Sequence, residues 1–137
     1  MPINIFVGPG QLYGTPYTFY TDSAGNQPIE LVLDVNETYL FKRVNNVNSH
    51  PFYISDVGYK KPSSNKISLT GDGSHNIGIK GDQSFLLSFN EGFDLDELHF
   101  FCTSHSIMSS TFEVLGNNQI IQENINLNIN NSSSSNF

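Results

Sequence analysis

The segment "HFFCTSHSIMSS" (99–110) carries the chain's one cysteine, with a histidine three positions on and a methionine three beyond that. Thiolate, imidazole and thioether are soft or borderline donors, the kind that suits copper. The bland alternative is a buried cysteine acting as a small hydrophobe beside a surface histidine and a core methionine. Three donors packed into Cys102–Met108 favour the metal. The fourth donor is best sought in "NSHPFYI", where His50 precedes a short aromatic run. Two imidazoles, one thiolate and a weak thioether are the ligands of a blue-copper electron-transfer site. The expected metal ligands are therefore His50, Cys102, His105 and Met108, holding one copper ion per chain.

The other two histidines read as bystanders. His75 sits in "DGSHNIG", a polar, glycine-rich stretch without neighbouring donors, and is expected to be solvated. Strand alternation puts His99 and Phe101 opposite Leu98, Phe100 and Cys102, so His99 is expected to pack at the surface beside Phe101. Catalytic readings fare worse than binding ones, and no enzyme is expected. Four histidines cannot serve both a mononuclear and a trinuclear copper centre, and one cysteine cannot make a dinuclear thiolate site. A Cys102–His105 hydrolase needs only a nearby base, but no oxyanion element accompanies the pair. Zinc is disfavoured because a thioether is a poor zinc donor.

The elements that must hold these groups read as strands. "YTFY" (17–20), "IELVLDV" (29–35), "TYLFKRV" (38–44), "PFYIS" (51–55), "KISLTG" (66–71), "QSFLLSF" (83–89), "ELHFFC" (97–102) and "STFEVL" (110–115) are short, rich in β-branched or aromatic residues, and bounded by polar turns. Such a series predicts an antiparallel sandwich or barrel of about seven to eight strands. In "TYLFKRV", alternation places Tyr39, Phe41 and Arg43 on one face, and Leu40, Lys42 and Val44 on the other. Residues 58–68 and 71–82 read as loops. No internal repeat is present. Residues 1–116 are expected to form one domain. Residues 117–137 shift to Asn and Ser, with one further strand at Ile125–Ile129 before a disordered end.

Composition narrows the function. The chain has 137 residues, 37% hydrophobic and 14% charged, with 11 Phe, 6 Tyr and no Trp, which is the profile of a folded domain with an aromatic core. Six Lys and Arg against thirteen Asp and Glu leave a net charge of −7, which repels phosphate backbones and makes nucleic acid an unsuitable partner. The same surface suits a basic redox protein, and the acidic run "EGFDLDE" (91–97) flanks the strand that carries Cys102. One cysteine excludes an intrachain disulfide framework. No charged n-region with an apolar stretch opens the chain and no run approaches ~18 apolar residues, so neither a signal peptide nor a membrane span is expected. A monomer is expected.

Taken together, "GNQPIELVLDVNETYLFKRVNNVNSHPFYI" and "LHFFCTSHSIMSSTFEVLG" resemble a cupredoxin-like domain, in particular a branch with an S-H-P-F half and a C-x-x-H-x-x-M half. The likeness covers about residues 17 to 116. It implies a Greek-key β-sandwich and a mononuclear type 1 copper site formed by His50, Cys102, His105 and Met108, passing single electrons. Its alternative is a non-redox structural or interaction module on the same fold, metal-free or with copper as a staple. Two departures from the branch stand out. Ser109 and Ser110 replace the branch's Gly-Gly after the methionine. Asn36 replaces a turn glycine, as a residue type that tolerates left-handed backbone. Pro51, as in this branch, follows the first histidine, leaving Asn46, Asn48 or Ser49 to tie the two ligand loops together.

Overall fold

The computed structural model describes residues 1–91, 95 and 97–116. The expected tail at 117–137 and part of the acidic run lie outside the described residues. Within them the chain is all β. The strands are β1 (Ile3–Val7), β2 (Phe19–Tyr20), β3 (Pro28–Ile29), β4 (Val32–Asp34), β5 (Tyr39–Arg43), β6 (Phe52–Ser55), β7 (Ile67–Gly71), β8 (Phe85–Phe89), β9 (His99–Cys102), β10 (His105–Thr111) and β11 (Glu113–Leu115). A single 3-10 turn at Val44–Asn46 is the only helical element among the described residues, so no helix there is long and apolar enough to cross a membrane.

The strands form an all-β sandwich. One layer is a six-stranded sheet in the order β3-β2-β1-β5-β8-β7, and facing it are a three-stranded sheet β10-β9-β6 and a two-stranded pair β11-β4. The run "IELVLDV" is broken into β3 and β4 because the chain changes sheets there, β3 pairing with β2 and β4 with β11. "STFEVL" likewise divides: its first residues finish β10 and the rest become β11, with buried Phe112 between them.

Two pairings depart from an antiparallel scheme. β1 runs parallel to β5, and β4 parallel to β11. Parallel neighbours cannot be joined by a tight hairpin; here β2, β3 and β4 intervene between β1 and β5. β1 itself is an element that the reading of the sequence did not contain.

The core is a stack of aromatic rings between the layers. Phe52 is fully buried and meets Tyr17, Phe19, Phe41, Phe85 and Phe100 at ring-centroid separations of 5.1–6.2 Å. Removing a buried phenylalanine ring costs about 3–5 kcal/mol. Phe52 therefore anchors the sandwich two residues after His50, and Phe100 does the same two residues before Cys102. The Asn36 turn closes without left-handed backbone at that residue: Asp34 accepts hydrogen bonds from Asn36 N–H through Oδ1 (2.8 Å) and from Glu37 N–H through its carbonyl (3.0 Å).

Candidate metal centre

β6 and β9 pair antiparallel with Phe52 opposite Cys102, and β9 and β10 pair with Cys102 opposite His105. Register alone thus brings the His50 loop, the thiol and the second imidazole to one end of the three-stranded sheet. Cys102 Sγ lies 3.7 Å from His50 Nδ1 and 3.5 Å from His105 Nδ1. All three donor atoms lie within 4.8 Å of one another. The thiol is fully buried, His50 is half-buried, and His105 is exposed. Among the described residues this is the one cluster of at least three His, Cys, Asp or Glu able to hold a metal ion.

The separations fit a shared ion. Metal–nitrogen bonds of ~2.0 Å and a metal–sulfur bond of ~2.3 Å, opened to roughly 110–120°, leave nitrogen and sulfur about 3.5–3.7 Å apart. An N–H···S hydrogen bond can have the same length. Two imidazoles turn the same Nδ1 edge toward one thiol, an arrangement that could hold a metal ion.

Met108 comes to the same end by a backbone irregularity. The β9–β10 pairing shifts register between His105 and Ser109, after which Ser109 and Ser110 pair regularly with Phe101 and Phe100. A bulge of this kind re-aims side chains. His105, Ser106 and Ile107 stay exposed while Met108 is fully buried. Ser109 and Ser110 are strand residues, and their pairing needs no glycine. Gly10, at φ +91°, forms a wall of the site. A Cβ placed on it would lie 2.9 Å from Met108 Cε, 2.9 Å from Tyr17 Cε1 and 3.1 Å from His50 Cβ.

His50 has φ +49°, left-handed backbone that a non-glycine residue seldom adopts. Such strain persists where the surroundings over-determine it, and they do. Tyr17 Oη–H donates to the His50 carbonyl (2.6 Å), Arg43 Nη2 donates to the Ser49 carbonyl (2.9 Å), and Ser49 Oγ–H donates to the Pro9 carbonyl (3.1 Å). On the cysteine side, Tyr59 Oη–H donates to the Cys102 carbonyl (2.9 Å). The tie between the two ligand loops is Thr103 N–H donating to the Pro51 carbonyl (3.0 Å), not a side chain of Asn46, Asn48 or Ser49.

Electrostatics match this geometry. Burial, reinforced by the neighbouring Cys102 charge, pushes the Tyr17 hydroxyl far above its ordinary value, so it remains a donor. Burial lowers the His50 pKa, and His105 and Arg43 lower it further, favouring the neutral imidazole that metals bind.

His75 and His99 do not join the cluster. His75 is half-buried in the 71–82 loop, and His99 Nε2 lies 3.9 Å from Glu97 Oε1. Phe101, expected near the surface with His99, is fully buried because Tyr59 folds back over it with ring centroids 5.1 Å apart. Sequence reasoning missed Tyr17, Tyr59 and Gly10, which lie far from the motifs along the chain and carry no spacing signal. Arg43 did carry one, since alternation put it on the Tyr39–Phe41 face, and all three prove buried. No protein-family model, curated protein or solved structure matches this chain.

Proposed function

We propose that this protein binds one copper ion in a type 1 site and passes single electrons, as a cupredoxin-like domain. The observation that carries the reading is the convergence of His50 Nδ1 and His105 Nδ1 on the buried Cys102 thiol at 3.7 and 3.5 Å. Copper supplies a one-electron couple, and a trigonal His2Cys set with a distant thioether is the ligand pattern that suits it.

The chain's own residues supply the rest. Cys102 would provide the thiolate, His50 and His105 the imidazole nitrogens, and Met108 a weak thioether donor. Tyr17, Tyr59 and the Thr103–Pro51 bond hold the backbone on both sides, so the donors change position little as the metal changes charge. His105 is the exposed ligand, and it forms the route for electrons to and from a redox protein partner. Ile107, 62% exposed beside it, keeps that edge apolar. The acidic surface favours a basic partner. The reading includes neither a bond-making reaction nor nucleic acid.

Voltammetry of the copper-loaded protein tests the function. A reversible one-electron wave, retained in His75→Ala and His99→Ala and lost in Cys102→Ser, is the expected result. A protein that holds copper stoichiometrically yet shows no reversible wave has the metal as a structural staple instead.

A further inference from the structure

Arg43 is 1% exposed, yet it belongs to no ion pair among the described residues, where the one pair found is His99 with Glu97. An arginine stays charged at any physiological pH, and a buried charge ordinarily needs a counter-charge to offset its lost hydration. Here four backbone carbonyls do so. Nη1 donates to Ile79 (3.0 Å), Nη2 to Gly8 (2.9 Å) and Ser49 (2.9 Å), and Nε to Val7 (3.5 Å). The guanidinium also lies 5.8 Å from the centroid of the Tyr17 ring.

The two anchor points next to the site bracket its first ligand. Ser49 immediately precedes His50, and Tyr17 holds the His50 carbonyl. The Ile79 carbonyl that takes Nη1 also accepts from Phe52 N–H (3.1 Å), just beyond the same loop. Carbonyl dipoles stabilise the cation without cancelling its charge, so its field reaches the donor cluster.

We propose that Arg43 is a positioning residue with a second effect: it fixes the His50 loop, and its uncancelled charge raises the reduction potential of copper held by His50, Cys102 and His105. This rests on the copper reading above. The oxidised centre carries one more positive charge than the reduced one, so a buried cation nearby disfavours the oxidised state. One electron from a donor protein, or from an electrode, removes that difference, and no bond is made or broken. Two unit charges roughly 10 Å apart at an effective permittivity of about 20 interact by slightly more than one tenfold step in an equilibrium constant.

The test is voltammetry of wild type, R43Q and R43K, with Cu(I) and Co(II) affinities by chelator competition and denaturation of the metal-free proteins. R43Q removes the charge and should lower the potential by about 59 mV, the one-electron equivalent of tenfold. It should also raise Co(II) affinity relative to Cu(I) affinity by about tenfold. R43K keeps the charge and loses the planar fork. It should lower the stability of the metal-free protein while leaving the potential much closer to wild type than R43Q does. If R43Q does not fold, semisynthetic protein with citrulline at position 43 replaces it, since citrulline keeps the planar shape without the charge. A neutral variant that folds, holds copper and keeps the wild-type potential overturns the proposal, as does an R43K potential shifted as far as that of R43Q. A wild type that binds no copper overturns the metal reading instead, so the two failures are distinguishable.

Discussion

Adding one methyl group at Gly10 should damage the metal centre selectively. Gly10 has φ +91°, and a Cβ there would press on Met108 Cε and Tyr17 Cε1 at 2.9 Å and on His50 Cβ at 3.1 Å. Forcing an L-residue into left-handed backbone costs about 1–2 kcal/mol, and overpacking a filled site typically costs ~1–3 kcal/mol more. Gly10→Ala should therefore lose about 2–5 kcal/mol of stability. Gly14 supplies the control, because it also has positive φ (+81°) but would meet only Gln11 Nε2, at 3.4 Å. Gly14→Ala should lose the backbone part alone, about 1–2 kcal/mol. The difference between the variants, ~1–3 kcal/mol, is the steric part. Two of the three contacted residues are expected ligands, so Gly10→Ala should also weaken copper binding, which Gly14→Ala should not. Denaturant titration of the metal-free proteins and chelator competition for Cu(I) give both quantities. Equal stability losses, or equal copper affinities, would show that Gly10 does not wall the site.

The remaining predictions concern single groups. Tyr17→Phe removes the hydroxyl that holds the His50 carbonyl and should destabilise the metal-free protein by about 0.5–1.5 kcal/mol; an unchanged denaturation midpoint would count against that bond. Met108→Leu should keep copper and raise the potential, since loss of the axial donor disfavours Cu(II), whereas Met108→Gln should lower it; a potential common to all three proteins would make Met108 a core residue only. His50 should add a pH dependence to the stability of the metal-free protein. Its folded pKa lies below the ordinary imidazole value, so the unfolded chain takes up the proton first as pH falls. Its contribution is full above the unfolded value of about 6.5 and is lost as pH falls through the lower folded value. The stability difference between wild type and His50→Gln, followed from pH 8 to 5, should shift in wild type's disfavour as the pH drops.

Much of this centre is legible in the sequence, and the reason is local. Cys102 and His105 lie within one turn, and the "HFFC" alternation places the thiol at the end of a paired strand. His50 was reachable because it precedes an aromatic strand that must join the core. The supporting groups were not legible in this way. Tyr17, Tyr59 and Gly10 reach the site through strand order and loop return, which depend on which sheets meet. β1 was missed because Ile5 and Val7 are buried inside a run whose flanking Pro, Gly and Gln read as loop. The parallel pairings were missed for a related reason, since antiparallel order is the default for short strands joined by turns, and the chain's changes of layer leave no local mark. Arg43 shows the opposite case: its face was read correctly, but a charged residue on a core face gives no indication of what will offset its charge.

The central claim is that Cys102 and two imidazoles hold copper through a thiolate bond, and the visible spectrum of the purified protein with one equivalent of Cu(II) tests it most directly. An intense blue or green charge-transfer colour that Cys102→Ser abolishes is the predicted result. A colourless wild type that retains no copper under oxidising conditions would contradict it.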